Sequence, residues 1–169
     1  MRKSLIALCL TLAMTSTMAF TELDLPLFIA GLLNGFIVVH DLVEIQTCLK
    51  NAGDLVGEIE IAFEDYELNS YYGYMAGMAE LAIIMKDLPN DLALCENIQI
   101  DEEKLEAWAV VFENRDELLV RIAANLFFSF DEIKTDLVDV VTDFENDNWF
   151  DAGDKLMTAF LRLVGTDPA

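Results

Sequence analysis

The chain has 169 residues, 54% of them hydrophobic, and its 31 Asp and Glu outnumber 10 Lys and Arg to give a formal net charge of −21. A charge of that size accompanies disorder only where apolar residues are scarce; here 11 Phe and the high apolar content describe a packed core under an acidic shell. Nucleic acid is excluded as a partner, because its phosphates repel such a surface, and an anionic membrane face is disfavoured for the same reason. Cations, basic proteins and neutral surfaces remain open.

In chain order, Arg2 and Lys3 precede a short apolar run, Leu5 to Met14, and Thr17-Met18-Ala19 places small residues where a signal peptidase reads. Residues 1–19 are therefore expected to be a signal peptide cleaved before Phe20, with an apolar run too short to span a bilayer. Secretion follows as the expected localisation. Processing removes Arg2 and Lys3 but none of the acids, so the charge of residues 20–169 is −23. It also leaves two of three cysteines, Cys48 and Cys95, which an oxidising compartment would join in one disulfide.

The remainder is one domain's length and reads as helices. Asp24-Leu25-Pro26 is a helix entry, with Pro tolerated in the first turn, opening a helix from Leu27 to Lys50 with a kink near Asn34-Gly35. Asn51-Ala52-Gly53-Asp54 stops it and starts a second helix through about Leu68. Asn69-Ser70 caps a third, running through Met85 with Leu88-Pro89 beyond it. After the turn carrying Cys95, Leu105 to Phe112 and Leu118 to Phe130 show helical spacing, with Arg115 and Arg121 keeping one face wet. Asp131 caps or kinks the way into a helix ending near Asn146, and Asp147-Asn148 turns the chain into a last helix, Trp149 to Val164. The expected fold is all-α: a single-domain bundle of about six to seven helices.

Two segments of this domain match one another. Asp65-Tyr66-Glu67-Leu68-Asn69-Ser70-Tyr71-Tyr72 and Asp143-Phe144-Glu145-Asn146-Asp147-Asn148-Trp149-Phe150 both set an aromatic between acids, then a polar step, then an aromatic pair. Upstream, Asp54, Leu55, Ile59 and Ala62 fall opposite Glu132, Ile133, Leu137 and Val140. The spacing predicts one helix-turn-helix unit used twice, over about 54–86 and 131–164.

Candidate sites are few. Asp143, Glu145, Asp147, Trp149, Asp151 and Asp154 occupy the ligand positions of a calcium loop, hard oxygen donors that suit Ca²⁺. Asn148 stands where the sharp turn expects Gly, and Asp154 where a bidentate Glu is expected; a capped helix corner accounts for the same residues without metal. His40 with Glu44 one turn on would begin a metal site, but no second His extends it. Ser70 and Ser129 lack a nucleophile-elbow context, and no Gly-rich phosphate loop is present, so the chain reads as a non-enzyme without a required cofactor. Tyr71, Tyr72 and Tyr74 beside Gly73 and Gly77, with Trp149 and Phe150, form a candidate interaction surface. A wider aromatic and Met set that adds Phe63, Tyr66, Met75, Met78, Phe127, Phe128, Phe130, Phe144 and Phe160 would form core or instead line a cavity for an apolar ligand.

The Cys48/Cys95 pair, the segment Asp65 to Tyr72 with Gly77, and Asp143 to Phe150 with Gly153 resemble the pattern of small secreted acidic helical proteins of ciliated protozoa. That resemblance implies secretion and helicity and carries over no catalytic residue. The reading is thus a secreted, non-enzymatic protein acting through a protein partner or self-association, as a surface, matrix or assembly component. The alternatives are a carrier of lipid or another apolar ligand, and a Ca²⁺-binding extracellular protein.

Overall fold

The computed structural model describes residues 20–35, 45, 48–49, 52–93, 95, 110, 112 and 114–164. The expected signal peptide, His40, Glu44 and most of the predicted helix over 105–112 lie outside them. Six α-helices are described: α1 Leu25–Asn34, α2 Ala52–Glu67, α3 Tyr71–Asp91, α4 Arg115–Phe128, α5 Phe130–Glu145 and α6 Trp149–Val164. No strand occurs among the described residues, so the architecture is the all-α bundle that the periodicity predicts.

Local chemistry sets the ends of these helices. Asp24 takes hydrogen bonds from the Thr21 backbone N–H (3.0 Å) and hydroxyl (2.6 Å), fixing the chain just ahead of Pro26 in the first turn of α1. Ser70 Oγ accepts from Gly73 N–H at 3.1 Å at the start of α3, and Asn114 Oδ1 accepts from Glu117 N–H at the start of α4. Acids sit in the first turns of α4 and α5, where the helix dipole favours them.

Three boundaries differ from the sequence reading. α1 closes at Asn34, where a kink was expected, and the Asn34 amide is drawn to Asp154 Oδ1 at 2.9 Å. α3 continues through Pro89 to Asp91, because Leu88 and Leu92 are core residues and their burial outweighs the one backbone bond that proline deletes. The break between α4 and α5 falls at Ser129, whose N–H bonds to Asn125 O while its carbonyl receives Ile133 N–H. Asp131 therefore lies inside the first turn of α5.

α2 and α3 form one antiparallel hairpin, α5 and α6 the other, and α4 bridges α3 to α6. α6 is the central helix, flanked by α1 and α5. Its contact with α1 is made at backbone distance: a Cβ on Gly31 would lie 2.0 Å from Phe150 O, and one on Gly153 2.2 Å from Phe28 O. Only glycine at both positions lets the two helices lie this close. The core runs continuously from Phe20 to Val164. Cys48 and Cys95, both buried, are joined in a disulfide with Cα atoms 5.0 Å apart. Closing a 47-residue separation contributes about 4 kcal/mol on the chain-entropy account. Among the described residues no helix is long and apolar enough to cross a membrane.

Candidate functional site

The repeated segments form two corners built on the same plan. In the first, Leu68 N–H bonds to Asp65 O, Asn69 N–H to Tyr66 O and Tyr74 N–H to Ser70 O. In the second, Asn146 N–H bonds to Asp143 O, Asp147 N–H to Phe144 O and Ala152 N–H to Asn148 O. The two left-handed non-glycine residues found among the described residues are Asn69 (φ 44°) and Asp147 (φ 60°), which occupy equivalent places in the repeat. Asn and Asp tolerate that conformation better than other side chains, which is why the acid-polar step recurs. Leu55, Ile59 and Ala62 of α2, and Ile133, Leu137 and Val140 of α5, are all buried, so the upstream match also lies on one face in each copy.

The acids of the calcium-loop pattern are held apart. Asp143 receives Lys155 Nζ at 2.5 Å, an ion pair whose hydrogen bond raises the lysine pKa. Asp154 receives the Asn34 amide on the side facing α1. Asp147 holds the left-handed turn, and Glu145, Asp147 and Asp151 are exposed. Among the described residues no group of three or more His, Cys, Asp or Glu is placed to hold a metal ion. Asn148 N–H bonds back to Asp143 O at 2.9 Å and α6 begins at Trp149, so the segment is a tight corner rather than an open loop.

The aromatics of the candidate surface divide. Trp149 and Tyr74 are core residues, 6% and 1% exposed, and Tyr74 donates its hydroxyl to Asn69 Oδ1 at 2.7 Å, locking the first corner. Phe150 is half-buried against α1, and Tyr71 is half-buried with its hydroxyl on Ala123 O of α4 at 3.0 Å. Tyr72 alone of the set is openly exposed, at 83%. The second corner staples its helices, with the Trp149 ring 4.8 Å from Phe144, whereas Tyr71 of the first reaches across to the α4–α5 junction.

Inside, an aromatic cluster joins both corners. Phe63 stacks on Phe144 at 3.6 Å between ring centres, and Phe28 and Tyr66 meet Phe63 edge-on at 5.9 and 5.7 Å. Phe20, predicted only as the residue after a cleavage point, is 3% exposed and packs against Phe28, Phe144 and Trp149. The Tyr66 hydroxyl is buried without a hydrogen-bond partner, and burial followed by the nearby Asp65 charge pushes its pKa well up.

On the outside, α4 carries an apolar stripe that the sequence reading missed. Val120, Ala124, Phe127 and Phe128 share one helix face and are exposed, the two phenylalanines at 71% and 83%. Arg121, expected to keep α4 wet, is half-buried and donates to Val164 O at 3.2 Å. The available signal was Phe127, Phe128 and Phe130 standing so close together that no single helix face can bury all three.

Two clefts lie among the described residues' surfaces. One of about 170 Å³ is lined by Ala79, Ala82, Ile83, Lys86, Phe112, Leu118 and Leu119. The other, about 240 Å³, is lined by Asp54, Leu55, Glu58, Asp87, Asn90 and Asp91, and there burial and then repulsion from Asp87, Asp91, Glu80 and Asp54 raise the Glu58 pKa. Comparison with protein-family models, with characterised proteins and with solved structures found no match. The likeness to protozoan secreted proteins therefore rests on its motifs alone.

Proposed function

We propose that this chain is a secreted, non-enzymatic helical protein that acts by interaction, as a surface, matrix or self-assembling component. The observation that supports this most directly is the exposed apolar face of α4 on an otherwise acidic body: two adjacent, largely exposed phenylalanines are costly to leave in water unless they meet a partner. The Cys48–Cys95 bond supports the extracellular part of the reading, since such crosslinks persist where thiols are oxidised. The test is the mass of the protein in its native secretion and after purification, by light scattering across concentration and Ca²⁺. Higher-order or partner-bound species are expected; a strictly monomeric, partner-free species throughout overturns the reading.

Two alternatives stand beside this reading. Native mass spectrometry of extracted material tests the carrier reading, a bound lipid or other apolar ligand being its expected result. For calcium, calorimetric heats unchanged by Asp151→Asn would mark diffuse charge rather than a site.

A further inference from the structure

Resting on the reading of an interaction protein, we infer that the α4 stripe docks a cationic, apolar-faced partner, a basic amphipathic helix or its equivalent, rather than a second copy of this chain. The stripe is a compact ridge. Val120, Ala124, Phe127 and Phe128 follow the i, i+4, i+7, i+8 spacing of one face, and all are exposed. Phe130, two residues past the ridge, pairs with the half-buried Tyr71 (6.2 Å between ring centres), and Tyr71 donates its hydroxyl to Ala123 O, the residue before Ala124. α3 thereby braces α4 from behind, and the phenylalanines are presented on a fixed support.

Charge selects the partner. Exposed Asp116 and Glu117 stand one turn before Val120, and exposed Asp131 and Glu132 follow Phe128 around the Ser129 break, so acids flank the ridge at both ends. The cations nearest the ridge in sequence are fewer than its acids: Arg121 is bonded to Val164 O, and Arg115 and Lys134 stand against four carboxylates, while farther off Lys155 is paired with Asp143 and Arg162 with Asp136. Two copies meeting on this face would bring four carboxylates against four, on processed bodies that each carry −23. A partner with an apolar centre and a rim of Lys or Arg meets both features at once, the phenylalanines giving affinity and the acids giving orientation and association rate.

The experiment titrates the full-length, disulfide-intact protein with three synthetic helical peptides: Leu/Lys amphipathic, the same peptide with Glu for Lys, and one with Lys kept but Leu replaced by Ser. The Leu/Lys peptide is expected to bind saturably and more weakly as salt rises, with affinity at least about tenfold lower for the Phe127→Ser/Phe128→Ser variant, as for removal of central apolar anchors. Both positions are exposed, so the variant keeps its fold, and an unchanged helical circular dichroism spectrum and Tm verify this. Equal binding by the variant, or by the Ser-containing peptide, would reduce the effect to diffuse charge and overturn the proposal. So would equal binding of the Glu peptide, Phe127-dependent dimerisation without peptide, or Phe127-dependent partition onto zwitterionic lipid vesicles. Any of these results leaves the broader interaction reading standing, because that reading falls only if the native material is monomeric and partner-free.

Discussion

The two hairpins share a corner but close on different chemistry. In α5–α6 the acid that opens the corner, Asp143, pairs on the surface with Lys155. In α2–α3 the place of that lysine is taken by Gly77, and the Tyr66 ring lies where a side chain would stand: a Cβ on Gly77 would be 2.2 Å from Tyr66 Cε1 and 2.7 Å from Ala62 O. The first hairpin is therefore closed by a buried aromatic on a glycine, the second by an exposed ion pair. A further difference concerns the outer side. α6 carries Gly153 where α3 carries Met75, and only α6 receives α1 at backbone distance. A duplicated unit can thus keep its corner, which depends on local turn chemistry, while its helix faces diverge to suit different neighbours.

Substitutions at these points break or sharpen the comparison. The largest effect is expected from Gly153→Ala, because its Cβ meets the backbone of α1 at Phe28 and Leu32, which cannot rotate away. A loss of about 3 kcal/mol or more in chemical denaturation is expected. Gly57→Ala is its control: nothing lies within 4 Å of that Cβ, so the helix gain of about 0.5–1 kcal/mol should appear undiminished. Gly77→Ala should cost about 2 kcal/mol, somewhat less than Gly153→Ala, since part of its obstacle is a side chain that can shift. If the two glycine losses prove equal to that of an ordinary surface site, the close approaches are not real constraints.

Tyr66→Phe converts the first corner to the residue the second already has, Phe144, and removes a buried hydroxyl that lacks a partner. A gain of about 1 kcal/mol is expected by denaturant melts, and a loss would show that the hydroxyl is satisfied in solution. The smallest effect belongs to Glu58, whose folded pKa is raised by burial and by the carboxylates around it. The folded state then binds its proton more tightly than the unfolded chain, so this group favours folding below the ordinary carboxylate range and loses that contribution as pH rises through the folded pKa. Glu58→Gln should flatten this part of the pH–Tm curve. An unchanged curve would mean that the acidic recess is fully screened.

Much of this was legible in the residues, and the reason differs from place to place. The last helix was read with its observed bounds, because Asp147-Asn148 before Trp149 is a strong local start signal and the apolar spacing to Val164 is regular. Proline misled at the end of α3: its local penalty is visible in sequence, whereas the burial of Leu88 that overrides it is not. The aromatic pairs looked interchangeable, yet Trp149 is core and Tyr72 is exposed, since what lies over each corner depends on distant helices. The α4 stripe was missed because periodicity reveals an apolar face without saying whether anything covers it.

Taken alone, the sequence determined what short-range physics controls: helical class, the two corners at Asn69-Ser70 and Asp147-Asn148, and an acidic exterior around an apolar interior. It also made Cys48 and Cys95 partners by elimination once a secreted context is assumed. Tertiary structure decided everything that needs a second element to define it. It set α1 against α6 through Gly31 and Gly153, placed Phe20 in the aromatic cluster, and turned Asp143 to Lys155 and Asp154 to Asn34. It also left Phe127 and Phe128 outside. Turn and helix chemistry acts over a few residues and is written in them, whereas burial is a property of pairs of surfaces that the chain brings together only on folding.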